Sequence, residues 1–229
     1  MIFSNIESGT SVEGSPIEAL KTDVKSSKYL YLMAGVHGDE VEGVYVLKKL
    51  FDWIKNNHDL VDLPIIFIPV LNVDGYARGT RVNAHQVDLN RNLPTDNWTS
   101  EARAPRYNPG LSPLSEPENK YLVKLFDKYK PGFILSFHTW KPMLNYNGDC
   151  AEIANFLHQF NSYEVSPEIG YPTPGSLGDF VWTKYKAPVL TFECPELKIH
   201  KETLKEIWDE NEEGLKKLFT DRKFQQYLK

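Results

Sequence analysis

Short apolar runs of strand length alternate along this chain with stretches of helical periodicity. Residues 28–34 (KYLYLMA) stop at Gly35, and residues 63–71 (LPIIFIPVL) carry Pro64 at their mouth. Between them Val44, Leu47, Leu50, Phe51 and Ile54 recur at the spacing that lines one helix face, so 39–56 is predicted as an amphipathic helix. Strand, helix and strand in that order form a parallel unit, because the chain must cross back over the sheet to pair again. The pattern continues downstream. Ser115 and Glu118 have capping-box spacing around Pro117, and Tyr121, Leu122, Leu125, Phe126 and Tyr129 then share a face. Residues 133–137 (FILSF) and 188–192 (PVLTF) read as a third and a fourth buried strand. Ile153, Phe156, Leu157 and Phe160 mark a short helix, and Leu204, Ile207, Trp208, Leu215, Leu218 and Phe219 mark a C-terminal one. The fold class is α/β.

At 229 residues, 41% of them hydrophobic, the chain is long enough to bury one large core, and neither a repeat nor a linker-like shift divides it. One domain spanning 1–229 is the expectation. Twenty-six basic residues against 31 acidic ones leave a net charge of −5, which excludes a global field favouring nucleic acid or an anionic membrane. No apolar run of membrane-spanning length occurs, and MIFSNIESGTSVEG at the start lacks a cationic n-region, so a cytoplasmic protein is expected. Cys150 and Cys194 suggest neither a disulfide framework nor a cysteine zinc site. Residues 80–117 are polar, rich in Asn, Arg and Pro, and too long for a plain connector, which predicts a functional loop.

Chemistry-bearing residues sit at the strand ends. His37 and Glu40, in HGDE (37–40), follow the first strand, where an α/β sheet presents the carboxyl edge at which ligands bind. A histidine and a carboxylate three residues apart can converge on one metal ion, although the pair alone also describes a solvated loop. His138 follows the third strand and would supply another ligand; a hydrogen-bonded core histidine is the alternative. Two histidines, one glutamate and an open position make a catalytic rather than a structural zinc site, while ligand type alone admits other divalent metals. His58, His85, His158 and His200 lack this placement. Glu193 closes the fourth strand between Phe192 and Cys194. An apolar setting there would raise its pKa and suit a general base, whereas a strand-end glutamate pointing to water would not be shifted. Arg81, Asn83, Asp88, Asn90 and Arg91 lie in RVNAHQVDLNRN (81–92). A guanidinium can hold a carboxylate through two hydrogen bonds or stabilise an oxyanion, and a merely solvated loop is the other reading.

Taken in order, HGDE (37–40), VLNVDG (70–75), RVNAHQVDLNRN (81–92), SFH (136–138) and TFE (191–193) resemble the zinc carboxypeptidase family. SVEGSPIEALK (11–21) is similar to that family's opening strands, and the resemblance runs from residue 11 to about 195. It implies a three-layer α/β/α domain with a mixed, mostly parallel twisted sheet of about eight strands. It also implies one zinc ion held by His37, Glu40 and His138, with Glu193 as base and acid. Arg81 would polarise the scissile carbonyl, Asn90 and Arg91 would hold the substrate's terminal carboxylate, and Asp88 would back a ligand. Tyr171, in GYPTPGSLGDF (170–180), is the nearest counterpart of that family's substrate-capping tyrosine. Asp39 departs from the arginine that digestive members carry inside the metal motif.

The chain length, the GDE form of the metal motif and the SEPEN segment (115–119) are most similar to the murein peptide amidase branch. That branch cleaves between γ-D-glutamate and meso-diaminopimelate. The resemblance implies a small murein peptide as substrate, with no obligatory protein partner; the distal amine and carboxylate of diaminopimelate need polar partners, which Asn145, Asn147, Asp149 or Asp179 could provide, Asx turns being the alternative for these four. An aminoacylase of the succinylglutamate desuccinylase and aspartoacylase type, a carboxypeptidase for α-linked peptides and a non-catalytic peptide-binding protein are the other readings.

Overall fold

The computed structural model describes residues 3–197 and 203–229. His200 lies outside them, as do the first two residues of the N-terminal stretch. Ten strands and six helices are seen among the described residues. They are β1 (Phe3–Asn5), β2 (Gly9–Thr10), β3 (Pro16–Ile17), β4 (Leu20–Thr22), β5 (Tyr29–Ala34), α1 (Val41–Asn56), β6 (Ile65–Ile68), α2 (Val73–Arg78), α3 (Pro117–Lys128), β7 (Pro131–Trp140), β8 (Met143–Asn147), α4 (Ala151–Asn161), β9 (Glu164–Ser166), α5 (Leu177–Tyr185), β10 (Val189–Pro195) and α6 (Leu204–Thr220).

Eight strands form one sheet in the order β1-β4-β6-β5-β7-β10-β8-β9, while β2 and β3 pair separately. The central run β6-β5-β7-β10 is parallel, and β8 with β9 adds a fourth parallel pair. The pairs β1–β4, β4–β6 and β10–β8 are antiparallel, so the sheet is mixed. The central strands are apolar at consecutive positions because both faces are covered. On β5, Leu30, Leu32 and Ala34 pack into a cluster with Val44 and Leu47 of α1, Leu157 of α4 and Ile207 of α6. Tyr31 and Met33 face the other way, toward Leu122 and Phe126 of α3 and Phe180 of α5. The same alternation divides β7 and β10, with Phe133, Leu135, Phe137, Leu190 and Phe192 on the first face and Ile134 and Val189 on the second. These layers make the three-layer α/β/α arrangement.

The capping box expected for α3 does not form. The helix starts one residue later, with Glu116 at the N-cap and no side-chain cap. The Ser115 hydroxyl donates instead to Glu116 Oε1 at 2.6 Å, and Glu118 is drawn away by Asn83 Nδ2 at 3.1 Å and the Val12 amide at 3.4 Å. Asn83, Glu116 and Glu118 together tie the long polar loop to the helix that ends it. Asn119 adds a hydrogen bond from its Nδ2 to the Leu89 carbonyl at 2.9 Å.

Two glycines set how closely the turn after β5 approaches α2. A Cβ on Gly38 would lie 2.0 Å from the Gly75 carbonyl carbon, and one on Gly75 would lie 2.4 Å from Asn72 Nδ2. Backbone therefore meets backbone where HGDE crosses NVDG. Asn72 caps α2 by accepting from the Gly75 amide at 2.9 Å, and its Nδ2 donates to the Arg81 carbonyl at 3.1 Å. The Gly38 amide donates to that same carbonyl at 3.3 Å, so the HGDE segment and Arg81 are held in one frame.

Candidate active site

Parallel strands end at one edge, and pleating decides which of their residues share a face. Glu193 of β10 is in register with His138 of β7, and both have the parity of Ile134 and Val189. They therefore stand side by side on the same face of the sheet. His37 follows β5 on the opposite side of β7 and brings Glu40 to the start of α1. Gly43 allows this: its Cβ would lie 3.0 Å from the Phe137 carbonyl and 3.1 Å from the His138 amide nitrogen, so the first turn of α1 rests on β7 backbone.

The carboxylate of Glu40 lies between the two imidazoles. Oε1 is 2.7 Å from His37 Nδ1, and Oε2 is 2.9 Å from His138 Nδ1. The ligand atoms of His37, Glu40 and His138 all lie within 4.8 Å of one another, and all three residues are buried. Behind them, His37 Nε2 meets Asp88 Oδ1 at 3.0 Å and His138 Nε2 meets Ser136 Oγ at 3.0 Å. Each ring thus has its outer nitrogen committed and its Nδ1 aimed inward, the arrangement that orients a metal-binding histidine. This donor set, two imidazole nitrogens and one carboxylate, fits a zinc ion with an open coordination position.

The charges in this cluster support one another. Burial resists ionisation of Glu40, but His37 and His138 overcome it and hold the carboxyl well below its usual range. Burial likewise opposes ionisation of Asp88, and His37 and Arg81 outweigh it to depress that carboxyl. Burial and Arg81 push His37 down, yet Glu40 and Asp88 raise it overall. Arg81 grips Asp88 Oδ2 with Nε at 3.1 Å and Nη2 at 3.0 Å, leaving Nη1 at a long 3.4 Å from Glu40 Oε1.

Glu193 differs from these neighbours. It is 5% exposed, and its Oε2 has no hydrogen-bond partner among the described residues. Burial raises its carboxyl to about 7; Glu40 adds to the rise, while His138 and Arg81 oppose it. Such a group sits where it can take and return a proton near neutrality.

A cleft of 1140 Å³ opens over these groups and is lined by His37, Glu40, His138, Glu193, Arg81, Asn90, Arg91, Asn145 and Tyr171. Asp88 lies behind the lining, fully buried. Asn90 Oδ1 accepts from the Leu177 amide at 2.7 Å, which leaves its Nδ2 for the cleft. Asn145 is partly committed, because its Nδ2 donates to the Ser166 carbonyl at 3.0 Å. Of the other polar pocket groups expected, Asn147 lines the cleft, whereas Asp149 and Asp179 lie outside the lining. The Asp179 carboxylate accepts from Thr183 at 3.4 Å within α5. Asp179 lies one residue beyond Gly178, which does line the cleft. His85 pairs with Glu116 at 2.9 Å and His158 with the Tyr163 carbonyl at 2.8 Å, both away from the cluster.

Trp140, Arg103, Arg106 and Tyr107 also line the cleft, and sequence reasoning did not single them out. The signal was present in the long loop, where arginines and a tyrosine crowd into EARAPRYNP (101–109).

A family model described as zinc carboxypeptidase matches residues 2–164. That span contains His37, Glu40, Arg81, Asp88, Asn90, Arg91 and His138, whereas Glu193 joins them through the register of β10 on β7. Murein peptide amidase A of Vibrio campbellii is 30% identical over 202 residues, which cover 82% of this chain and 77% of that protein. Murein peptide amidase A of Escherichia coli K12 is 29% identical over 187 residues, 75% of this chain and 74% of its own. The solved murein-tripeptide amidase of Escherichia coli O157 superposes with a TM-score of 0.74 at 25% identity, covering 95% of this chain and 92% of the other. Carboxypeptidase A of Helicoverpa armigera shares the fold, with a TM-score of 0.81 at 19% identity over 97% of this chain and 68% of its own. Among the described residues no helix is long and apolar enough to cross a membrane.

Proposed function

The chain belongs to the zinc carboxypeptidase family, and from that premise we propose that it hydrolyses the amide bond between γ-D-glutamate and meso-diaminopimelate in small murein peptides. It is a metallopeptidase, and in this reading His37, Glu40 and His138 hold its zinc. The observation that carries the catalytic reading is the convergence of two Nδ1 atoms and one carboxylate beside a buried glutamate whose Oε2 is unpartnered. Support for the murein substrate is the likeness to murein peptide amidases over three quarters or more of the chain. We treat residues 1–229 as one catalytic unit, because a single eight-stranded sheet with β1 and β9 at its edges carries the strands that supply the site.

Zinc, when bound, is a Lewis acid that polarises the scissile carbonyl and makes water a nucleophile at neutral pH. Glu193 takes the proton from the attacking water as its oxygen bonds to the carbonyl carbon. The same carboxyl then passes that proton to the departing amine as the C–N bond breaks, so it ends the cycle ionised. Arg81 is held by Asp88 through Nε and Nη2, which leaves Nη1 for the developing oxyanion. Asn90 Nδ2 and the buried Arg91 receive the terminal carboxylate, with the Asp88 carboxylate close enough to offset part of the charge of Arg91. Tyr171 covers the substrate from the rim, and Asn145 contacts its side chain.

The test is a mass-spectrometric hydrolysis assay of the zinc-loaded protein on L-Ala-γ-D-Glu-meso-diaminopimelate, beside α-linked peptides and N-acyl amino acids. Release of diaminopimelate from the murein peptide alone is expected. Turnover confined to the α-linked peptides or to the N-acyl amino acids would move the substrate to an α-peptide carboxypeptidase or an aminoacylase.

A further inference from the structure

The cleft holds more guanidinium groups than this reaction uses. Four arginines surround the ring of Tyr107, with guanidinium carbons 4.1 Å (Arg103), 5.2 Å (Arg81), 5.5 Å (Arg106) and 5.7 Å (Arg91) from its centre. Arg81 is neutralised by Asp88, and Arg91 is assigned to the terminal carboxylate.

Arg103 is different in kind. Its guanidinium also lies 3.8 Å from the centre of the Tyr171 ring, so it touches one aromatic from the long loop and one from the segment between β9 and α5. Tyr171 is itself braced by Trp140, with ring centres 5.9 Å apart. Among the described residues Arg103 makes no ion pair, although the cleft it lines also contains Glu168 and Glu196. Stacking occupies the faces of a guanidinium, while its five N–H donors lie in the plane and point outward from the edge. An arginine oriented by two rings, with that edge unclaimed by protein acceptors, is preorganised for a planar anion. Arg91 and Arg103 also repel one another, so an anion received between them relieves both.

We propose that Arg103 is a specificity residue that receives a second substrate carboxylate, distinct from the one held at Asn90 and Arg91. The proposal rests on the murein reading and deepens it. The γ-linked tripeptide carries two such groups, the α-carboxylate of D-glutamate and the distal carboxylate of diaminopimelate. Both present the same chemistry to Arg103.

Three tripeptides separate them: the parent, an analogue with the D-glutamate α-carboxylate converted to the amide, and one with L-lysine replacing diaminopimelate. Each is assayed for kcat/KM with zinc-loaded wild type, Arg103→Ala and Arg103→Met, the last retaining an apolar stem between the rings. Both variants are expected to lose about 10- to 100-fold on the parent, the range for a lost hydrogen bond to a charged group. On one analogue the wild type falls by a similar factor and the variants cost less than twofold more, which names the carboxylate that Arg103 holds. An equal loss on all three substrates, or no loss on the parent, overturns the assignment and leaves the murein reading intact. An inactive wild type on the parent overturns the murein reading, and the Arg103 proposal falls with it.

Discussion

Glu193 is the residue at which burial becomes chemistry. Its carboxyl is raised to about 7 chiefly by burial, and the nearby histidine and arginine only partly offset that cost. A raised acid favours the folded state while protonated and loses that advantage as pH climbs from the unfolded value through the folded one. The metal-free wild type is therefore expected to lose stability between about pH 4.5 and 7, by up to ~3 kcal/mol. Glu193→Gln should flatten this slope, so that at pH 8 the metal-free variant melts at or above the wild type; parallel pH slopes in thermal denaturation would contradict this origin. The same substitution should lower kcat by roughly 10²–10⁴ while leaving zinc content unchanged, the size of a lost general base. In the proposed site Asp88 would act on the metal through His37, whose Nε2 it meets at 3.0 Å. Asp88→Asn is expected to weaken zinc binding by about 10–100-fold, read by competition with a chromogenic chelator. Unaltered affinity would leave Asp88 as a partner of Arg81 only.

At the scale of elements, the site depends on how closely α1 lies on β7. Gly43 makes that approach possible, and its amide donates to Thr139 Oγ1 at 3.2 Å across the contact. Alanine improves helix propensity by about 1 kcal/mol, but here its methyl would press on strand backbone that cannot give way as a side chain can. Gly43→Ala is expected to destabilise by about 1–2 kcal/mol and to weaken zinc binding, because the displaced turn carries Glu40 away from His138. A variant with an unchanged melting temperature and unchanged zinc affinity would show that the contact has slack. Element identity was legible wherever periodicity was strong: β5, α1, β7, β10 and α6 lie where the apolar patterns of residues 28–34, 39–56, 133–137, 188–192 and 204–219 predict. The short strands β8 and β9 and the helix α5 were not read from the sequence. Met143–Asn147 is half polar because it borders the cleft, and Leu177–Tyr185 is apolar on too broad a face to show a clean period. The Ser115–Glu118 spacing misled because tertiary partners, Asn83 above all, claimed the carboxylate that a local cap would have used.

Across the whole molecule, zinc would join His37 after β5, Glu40 at the start of α1 and His138 on β7, so its binding energy adds to the stability of the folded sheet edge. A ligand present at a thousand times its dissociation constant contributes about 4 kcal/mol, and each kcal/mol moves the melting temperature of a chain this size by roughly 2–4 °C. Removing zinc with a chelator should therefore lower the melting temperature by about 8–16 °C, with recovery on adding zinc back. An indifferent melting curve would mean that these three residues hold no ion. The α/β class, the main elements and the candidate donors at the strand ends follow from the sequence alone, because strand and helix periods and the residue types at strand ends are local properties. The pairing of β10 with β7 is not local. It sets Glu193 beside His138 across 55 positions of chain, and only then does burial raise the Glu193 carboxyl. The stacking of Arg103 between Tyr107 and Tyr171 likewise exists only once the long loop folds over the same edge. Composition supplies the donors and the rings, but their distances depend on which strands become neighbours, and that is decided by packing both faces of one sheet at once.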